Sequence, residues 1–248
     1  MKHIITTAII KGGTGKTTTA AALAQAAKHK GRRVLAIDLD PQANLSDFLE
    51  ADTEHPGALE LLNGAELADV IQTTEQDIDV LASCADLAAE KTEAGSVNRL
   101  KTAIEPIKKK YDFIFIDTPP QMGELTYNAL QASTGILIPM EADNSSISGL
   151  YQLADIVETL KEQGKKSLSF IGAIITRYNA RSKINGFMKG EIIEAAKDIG
   201  APYLGEVRAG VAIKEAQAVR KSLFDYAERS KPATDYMKIF NKIEGGKQ

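Results

Sequence analysis

The chain contains 248 residues, of which 44% are hydrophobic and 25% are charged, and its formal net charge is −3. These values are ordinary for a globular protein and favour a single domain over residues 1–248. No apolar run approaches the roughly 18 residues of a membrane helix, the N-terminus shows no signal-peptide pattern, and one cysteine excludes an internal disulfide, so the sequence predicts a cytoplasmic protein.

Short apolar segments alternate with longer segments of helical periodicity along the chain. Strands are predicted at residues 3–10, 33–38, 78–81, 113–117, 135–139, 170–176 and 203–206. Helices are predicted at residues 16–30, 97–110, 148–163, 186–200 and 231–243. This alternation predicts an α/β fold with a mainly parallel, twisted sheet flanked by helices. Ligands of such sheets bind at the carboxyl ends of the strands.

A glycine-rich segment separates the first predicted strand from the first helix and reads Ile-Lys-Gly-Gly-Thr-Gly-Lys-Thr-Thr from residue 10 to residue 18. A turn of this kind binds phosphate because backbone N–H groups and the helix dipole converge on the anion. We expect Lys16 to reach the β- and γ-phosphates, Thr17 to ligate Mg²⁺ and Thr18 to bond the α-phosphate. The usual pattern has glycine at position 10, which is isoleucine here, and a second lysine, Lys11, follows it. Two lysines indicate a site that handles more negative charge than one loop usually meets.

Carboxylates follow two further apolar strands. Asp38 and Asp40 end the second predicted strand, and period-two geometry places them on the same side of the chain. Such carboxylates can hold Mg²⁺-bound waters or orient the attacking water, although capping of a helix near position 41 is the alternative. Asp117 ends a strand of four bulky apolar residues, which is the Walker B pattern, and residues 118–120 form a stiff Thr-Pro-Pro turn.

These three segments, in this order, resemble the deviant Walker A ATPases and, within them, the ParA family of chromosome- and plasmid-partition ATPases. Residues 11–18 match K-G-G-x-G-K-T-T, residues 38–44 match D-x-D-P-Q-x-N, and residues 117–120 match D-x-P-P. The resemblance extends through nearly the whole chain and implies a P-loop NTPase that hydrolyses ATP with Mg²⁺. The nucleotide-binding residues that it implies are Lys11, Gly12, Gly13, Thr14, Gly15, Lys16, Thr17, Thr18, Thr176, Arg177, Val207 and Arg208.

The resemblance also implies catalytic roles. Lys11 would be the signature lysine, which crosses an ATP-bound sandwich homodimer to the phosphates of the other subunit, and Lys16 would act within its own loop. Asp40 would position the hydrolytic water. The implied metal-site residues are Thr17, Asp38 and Asp117. Residues 207–209 read Val-Arg-Ala where the family commonly has I-P-R, so the base contacts depart from the family pattern.

Charge is distributed unevenly along the chain. Residues 1–160 contain 13 Lys and Arg against 23 Asp and Glu, whereas residues 161–248 contain 17 against 10. Such asymmetry points to nucleic acid or to a membrane, and chance clustering of charged helix faces is the alternative. Few aromatic residues interleave with the basic ones, so we expect non-specific double-stranded DNA as the partner. The candidate contacts are Arg181, Lys183, Lys189, Lys214, Arg220 and Lys221, beside Arg208 of the base loop.

The sequence therefore predicts a DNA-segregation ATPase that is associated with the nucleoid. ATP would drive dimerisation and DNA binding, and a ParB-like, centromere-binding partner would stimulate a weak hydrolysis that resets the dimer. The alternative is a membrane-surface positioning ATPase of the MinD type, which would need a lipid-binding C-terminal helix. The apolar stripe of the last predicted helix favours core packing, and a polar tail follows it. A third possibility, a metabolic ligase on a similar fold, has no substrate motif in its support.

Overall fold

The computed structural model describes residues 3–89 and 96–246, which contain one eight-stranded sheet. Its strands are β1 His3–Thr7, β2 Val34–Asp38, β3 Gln72–Thr73, β4 Asp79–Leu81, β5 Phe113–Asp117, β6 Gly135–Met140, β7 Ser169–Tyr178 and β8 Tyr203–Arg208. Their spatial order is β3-β4-β2-β5-β1-β6-β7-β8, and every neighbouring pair is parallel except β3 and β4. The predicted α/β fold with a mainly parallel sheet is confirmed.

Helices cover both faces of this sheet. They are α1 Lys16–His29, α2 Asn44–Phe48, α3 Ala58–Leu62, α4 Leu67–Val70, α5 Arg99–Ile104, α6 Glu124–Ala132, α7 Asn144–Glu162, α8 Lys183–Asp198, α9 Ala212–Ala218, α10 Leu223–Ala227 and α11 Lys231–Gly245. Two short 3₁₀ helices lie at Ala85–Ala89 and Ser96–Asn98. No helix in the described ranges is long and apolar enough to span a bilayer.

The strands are apolar on both faces because each face packs against helices. Neighbouring residues of β1 point to opposite faces of the sheet. Ile5 packs in the core beneath α1 and α11, whereas Ile4 packs in the core beneath α3, α4 and α5. The second face continues under α7 and α8 through Ile136 and Ile138 of β6. Burial on both sides explains the uninterrupted apolar runs of the central strands.

Several element boundaries differ from those predicted. The predicted helix 97–110 is confined to α5, because Pro106 has no backbone N–H with which to continue the helical hydrogen bonds. The helices α7 and α8 begin earlier than predicted, since Asp143 and Ser182 accept hydrogen bonds from backbone N–H groups of the first turn. Strand β1 ends at Thr7, three residues before its predicted end, and the chain then enters the glycine-rich loop.

Candidate active site

The glycine-rich loop connects β1, at the middle of the sheet, to the N-terminus of α1. Gly13 and Gly15 have φ angles of 78° and 87°, a left-handed conformation that favours glycine. The end of β7 holds the loop from the other side. The Thr176 hydroxyl donates to the carbonyl of Thr14 at 2.8 Å, and the Arg177 guanidinium donates to the carbonyl of Gly13 at 2.9 Å. The loop is therefore braced before any anion enters.

Lys16 lies across this loop. Its side chain is buried with 7% exposure, and its Nζ donates to the carbonyl oxygen of Lys11 at 2.8 Å. Burial lowers the pKa of Lys16, while the charges of Asp117 and Asp40 oppose that shift. A phosphate bound in the loop would offset the burial of this ammonium, which agrees with the role predicted for Lys16.

Asp117 supplies an unsatisfied buried oxygen beside the loop. Its Oδ1 accepts from the Thr7 hydroxyl at 3.2 Å, whereas its Oδ2 is buried and has no hydrogen-bond partner among the described residues. Burial, followed by the charge of Asp38, raises the pKa of Asp117 to about 8, and the neighbouring Thr17 side chain opposes the rise. An orphaned carboxylate oxygen next to a threonine hydroxyl fits a cation.

Magnesium suits this small donor set. In the ranges 3–89 and 96–246, no group of three or more His, Cys, Asp and Glu side chains has the arrangement of a metal site. Mg²⁺ bound with nucleotides keeps several waters and takes one or two protein oxygens together with phosphate oxygens. Thr17 and Asp117 would supply those protein oxygens.

Asp38 is buried and already well bonded within the chain. Its Oδ1 accepts from the backbone N–H of Asp40 at 3.0 Å, and its Oδ2 accepts from the backbone N–H and the hydroxyl of Ser46 at 2.9 and 2.8 Å. Burial raises its pKa to about 6 against the effect of the Ser46 bonds. These bonds show that Asp38 fixes the position of Asp40 and of the start of α2. Its predicted role at the metal stays a prediction.

Asp40 lies at the edge of a cavity of about 580 Å³, and Pro120 in the lining of that cavity lies next to Gly12 of the loop. Its side chain is 8% exposed, and its Oδ1 accepts from the backbone N–H of Gln42 at 3.0 Å. The Pro119-Pro120 turn after β5 forms another wall, and Glu124 at the start of α6 adds a second carboxylate. The described lining of this cavity contains no basic side chain. Asp40 thus borders open space close to the predicted phosphate site.

Lys11 is held by acids of its own chain at the start of α7. Its Nζ lies 2.5 Å from Asp143 Oδ2, 3.3 Å from the Ser146 hydroxyl and 3.8 Å from Glu141 Oε2. Partial burial raises the pKa of Asp143, but its hydrogen bonds with Lys11 and Ser146 outweigh that effect and lower it to about 2. Glu141 also pairs with Arg177 at 2.6 Å. Lys11 would have to leave this acidic clamp in order to reach another subunit.

A second cavity, of about 520 Å³, opens beside the loop on the side of β7 and β8. All four residues predicted near the base line it, together with Gly15 and Thr18 of the phosphate segment; the four are Thr176, Arg177, Val207 and Arg208. Ala209 of the base loop and Lys214, which was predicted to contact DNA, also line the cavity. The sequence did not indicate the remaining lining residues, which are Gly210, Ile213, Gln217 and Tyr236. The position of Tyr236 is fixed by a hydrogen bond of 3.2 Å between its hydroxyl and that of Thr19. A lining that mixes apolar side chains with hydroxyl, amide and cationic groups suits a heterocycle that carries hydrogen-bonding atoms.

Arg208 lines this cavity, but its guanidinium donates hydrogen bonds to a carboxylate of its own chain. Its guanidinium makes a two-pronged pair with Asp235, at 2.8 and 2.7 Å, and its backbone N–H donates to the same carboxylate at 3.0 Å. The pair joins β8 to the first turn of α11. Arg208 therefore lies at the base cavity, as predicted, and its pair with Asp235 also joins β8 to α11.

The predicted DNA-contacting residues do not share one environment. Arg181 and Lys183 are exposed at the start of α8, and Lys214 and Lys221 are exposed in and after α9. In contrast, Lys189 pairs with Glu206 at 3.0 Å and lies near the rings of Tyr178 and Tyr203. Arg220 pairs with Asp47 at 2.9 Å.

Comparison with known proteins gives close relatives over the whole length of the chain. A family model described as an AAA domain matches residues 2–170. The chain is 32% identical over 251 residues to the sporulation initiation inhibitor protein Soj of Bacillus subtilis, with 98% of each protein covered. It is 30% identical to the chromosome partitioning protein ParA of Caulobacter vibrioides, with 94% of this chain and 90% of that protein covered.

Solved structures with the same fold contain adenine nucleotides. An ATP complex of a Cyanothece McdA variant has a TM-score of 0.86 at 26% identity and covers 100% of this chain and 99% of its own. The septum site-determining protein MinD of Pyrococcus horikoshii, complexed with Mg-ADP, has a TM-score of 0.81 at 28% identity, with 98% and 96% covered. Cobyrinic acid a,c-diamide synthase of Mycobacterium smegmatis, with ADP and magnesium, has a TM-score of 0.82 at 26% identity, with 97% and 93% covered.

Proposed function

The chain belongs to the ParA/MinD superfamily of P-loop ATPases, which act on ATP with Mg²⁺, and from this premise we propose that it is a partition ATPase. Its ATP-bound state would be a sandwich homodimer that binds double-stranded DNA without sequence preference. The observation that carries this proposal is the placement of two lysines in one loop. Lys16 is buried across the loop, whereas Lys11 is held outside it by Asp143.

The proposed chemistry is phosphoryl transfer from ATP to water. Positioning and neutralisation of charge supply most of the catalysis in such reactions. Lys16 binds the β- and γ-phosphates within its own subunit, and Thr17 and Asp117 hold the Mg²⁺ that neutralises phosphate charge. Asp40 borders open space beside the loop and orients the attacking water. Lys11 from the second subunit adds positive charge from the opposite side.

Segregation of DNA is the cellular role that we propose, for a chromosome, a plasmid or another mobile element. The basic C-terminal part of the chain supports it, since Arg181, Lys183 and Lys221 are exposed cations without an acidic partner in the described ranges. Contacts of this kind bind the phosphate backbone irrespective of sequence. A ParB-like partner would stimulate hydrolysis and so release the dimer from the nucleoid.

Two other functions of this fold fit the structure less well. A MinD-type membrane anchor would need a free apolar face on α11, yet Tyr236, Phe240 and Ile243 of that helix are buried in the core. A ligase would need to hold an acidic substrate beside the γ-phosphate. The cavity next to Gly12, which Asp40 and Glu124 line, has no basic side chain in its described lining.

A DNA gel shift with and without ATP, over a series of salt concentrations, tests the proposal beside a liposome co-sedimentation. We expect salt-sensitive DNA binding that requires ATP, and no sedimentation with anionic vesicles. The Asp40→Ala variant should bind DNA more persistently, because its ATP dimer forms but hydrolyses slowly. Binding to vesicles and not to DNA would support the MinD-type alternative. ATP turnover that depends on a small carboxylic acid would support a ligase.

A further inference from the structure

The first half of α8 exposes two large apolar side chains. Ile184 and Phe187 are 60% and 64% exposed, although the opposite face of the helix is buried through Met188 and Ile192. The helix packs against α7 and the end of the sheet with that buried face. Two neighbouring apolar side chains on an open helix face indicate a contact with another macromolecule.

The same open face contains two glycines within the helix. Gly186 and Gly190 are four residues apart, so they lie on one side of α8. A Cβ atom at either position would meet no atom within 4 Å. Glycine destabilises an exposed helix relative to alanine, and nothing in the chain itself requires it at these positions. Its effect is to leave room for a side chain that approaches from outside.

Charges at the two ends of this face are opposite and symmetrically placed. Lys183, Phe187, Gly190 and Glu194 follow the spacing i, i+4, i+7 and i+11, which forms one stripe along a helix. The pair Lys183 and Glu194 and the pair Phe187 and Gly190 have the same midpoint in the sequence. Rotation by a two-fold axis at that midpoint brings a lysine opposite a glutamate and a phenylalanine opposite a glycine.

We propose that this stripe of α8 is a two-fold contact between two copies of the chain, with the helices antiparallel. Lys183 of each copy pairs with Glu194 of the other, and Phe187 of each fills the space above Gly190 of the other. Glu194 is available because its contact with Lys197 is long, at 3.8 Å, and both side chains are exposed. A helical stripe that is complementary to itself is what a two-fold interface requires.

This contact is separate from the nucleotide-dependent dimer and does not rest on the proposed function. The phosphate loop follows β1 in the middle of the sheet, whereas the stripe lies on the exposed face of α8, which packs against α7 and against β7 and β8 at the edge of the sheet. A chain with two different two-fold contacts links its copies into open assemblies. Wherever the ATP dimer forms, each dimer would carry two such stripes.

The contact should be weak on its own. A helix of 16 residues is about 24 Å long, and one helix pair buries less than the roughly 1,200–2,000 Å² of a stable interface. Linking two copies through nucleotide would strengthen it, because the second contact then forms at a high effective concentration. Self-association should therefore be measurable in the nucleotide-free chain only when it is concentrated.

Sedimentation equilibrium of the nucleotide-free chain, over a wide range of concentrations and without DNA, tests the proposal. By symmetry each pair occurs twice, so Glu194→Lys or Lys183→Glu should each lower the association constant by about tenfold or more. The double variant should restore it, since it exchanges the two charges. Phe187→Ser should also weaken association, and its exposed position leaves the fold intact.

Matched controls lie elsewhere on the surface. Glu158→Lys reverses an exposed charge on α7, and Val219→Ser removes an apolar side chain that is 51% exposed after α9. Both should self-associate like the unaltered chain. Single variants that behave like the controls, a double variant that is not restored, or a chain that remains monomeric throughout would overturn the proposal. So would a Phe187→Ser variant that self-associates normally but loses binding to DNA or to anionic vesicles.

Discussion

The ammonium groups of Lys11 and Lys16 have different hydrogen-bond partners, although only four residues separate the two lysines. The Lys16 ammonium lies across the loop, whereas that of Lys11 lies on Asp143 at the start of α7. We therefore expect Lys11→Ala to leave nucleotide binding by the monomer partly intact and to abolish ATP-dependent dimerisation and hydrolysis. Titration with a fluorescent nucleotide, together with light scattering, measures both properties. Lys16→Ala is the control and should lose nucleotide binding itself; the same complete loss in a folded Lys11→Ala variant would contradict the role across the dimer.

Asp143 makes the shortest of the contacts that hold Lys11, so it should be the main restraint on the proposed movement of Lys11. We expect Asp143→Asn to strengthen ATP-dependent dimerisation by up to about fivefold, because a half-exposed ion pair contributes at most about 1 kcal/mol. Asparagine can still accept the hydrogen bond from Ser146 that begins α7, so the helix should remain. The dimer dissociation constant in a non-hydrolysable ATP analogue gives the measurement. Dimerisation that is unchanged or weaker would show that the acidic clamp does not restrain Lys11.

The pH dependence of this pair follows from the lowered pKa of Asp143. A folded-state value of about 2 lies below the ordinary aspartate value of 3.8, so the ionised carboxylate, through its bonds with Lys11, Ser145 and Ser146, contributes stability above that ordinary value. This contribution is lost as the pH falls from about 4 towards about 2. In acid unfolding monitored by circular dichroism, Asp143→Asn should therefore differ from the unaltered chain at neutral pH and converge with it in that window. A difference that persists below pH 2 would show that the helix cap was also lost.

At the scale of elements, α7 touches the start of the phosphate loop through a glycine. A Cβ at Gly149 would lie 2.8 Å from the carbonyl oxygen of Ile10, so only glycine allows the helix to approach so closely. We expect Gly149→Ala to lower the melting temperature and to weaken nucleotide binding, despite the better helix propensity of alanine. Gly186→Ala in α8 is the matched control, since its Cβ would meet no atom within 4 Å, and it should stabilise the fold by up to about 1 kcal/mol. Thermal unfolding and nucleotide titration of both variants measure these effects. Equal melting temperatures and equal nucleotide affinities of the two variants would contradict the close approach of α7 to Ile10.

The sequence predicted best those elements whose pattern is local. The central strands β2 and β5 and the helix α1 were predicted nearly at their observed bounds, because buried runs and the glycine-rich turn mark them directly. The helices α2, α3, α4, α6, α9 and α10 and the two-residue strand β3 were missed, since segments of two to nine residues carry too little periodicity and tertiary packing stabilises them. The residues of the candidate site also differ in how well a local sequence pattern predicts them. Its loop and carboxylates follow strand ends, whereas Tyr236 reaches the base cavity from a helix whose apolar stripe is otherwise core.

At the scale of the whole molecule, the uneven distribution of charge overstates the number of cations that are free to bind. Residues 161–248 contain 17 basic and 10 acidic residues, yet several of the basic ones are already paired within the chain. Arg208 braces β8 against α11, and Lys189 is held between Glu206 and two tyrosine rings. A DNA surface should therefore be sought first at Arg181, just before α8, and at Lys221, after α9, which are exposed and are not used by the proposed α8 contact.

This difference in pairing predicts unequal effects on DNA affinity. Arg181→Ala should weaken ATP-dependent DNA binding about equally for all sequences and reduce the slope of log affinity against log salt by about one. Lys189→Ala and Arg220→Ala should change affinity little, because each side chain already has an acidic partner in Glu206 or Asp47. Fluorescence anisotropy with two unrelated duplexes, in a non-hydrolysable ATP analogue and at several salt concentrations, measures affinity and slope together. If Lys189→Ala lowered the affinity as much as Arg181→Ala does, the ion pair between Lys189 and Glu206 would have to open when DNA binds. The net charge of residues 161–248 would then predict DNA binding better than the count of unpaired cations does.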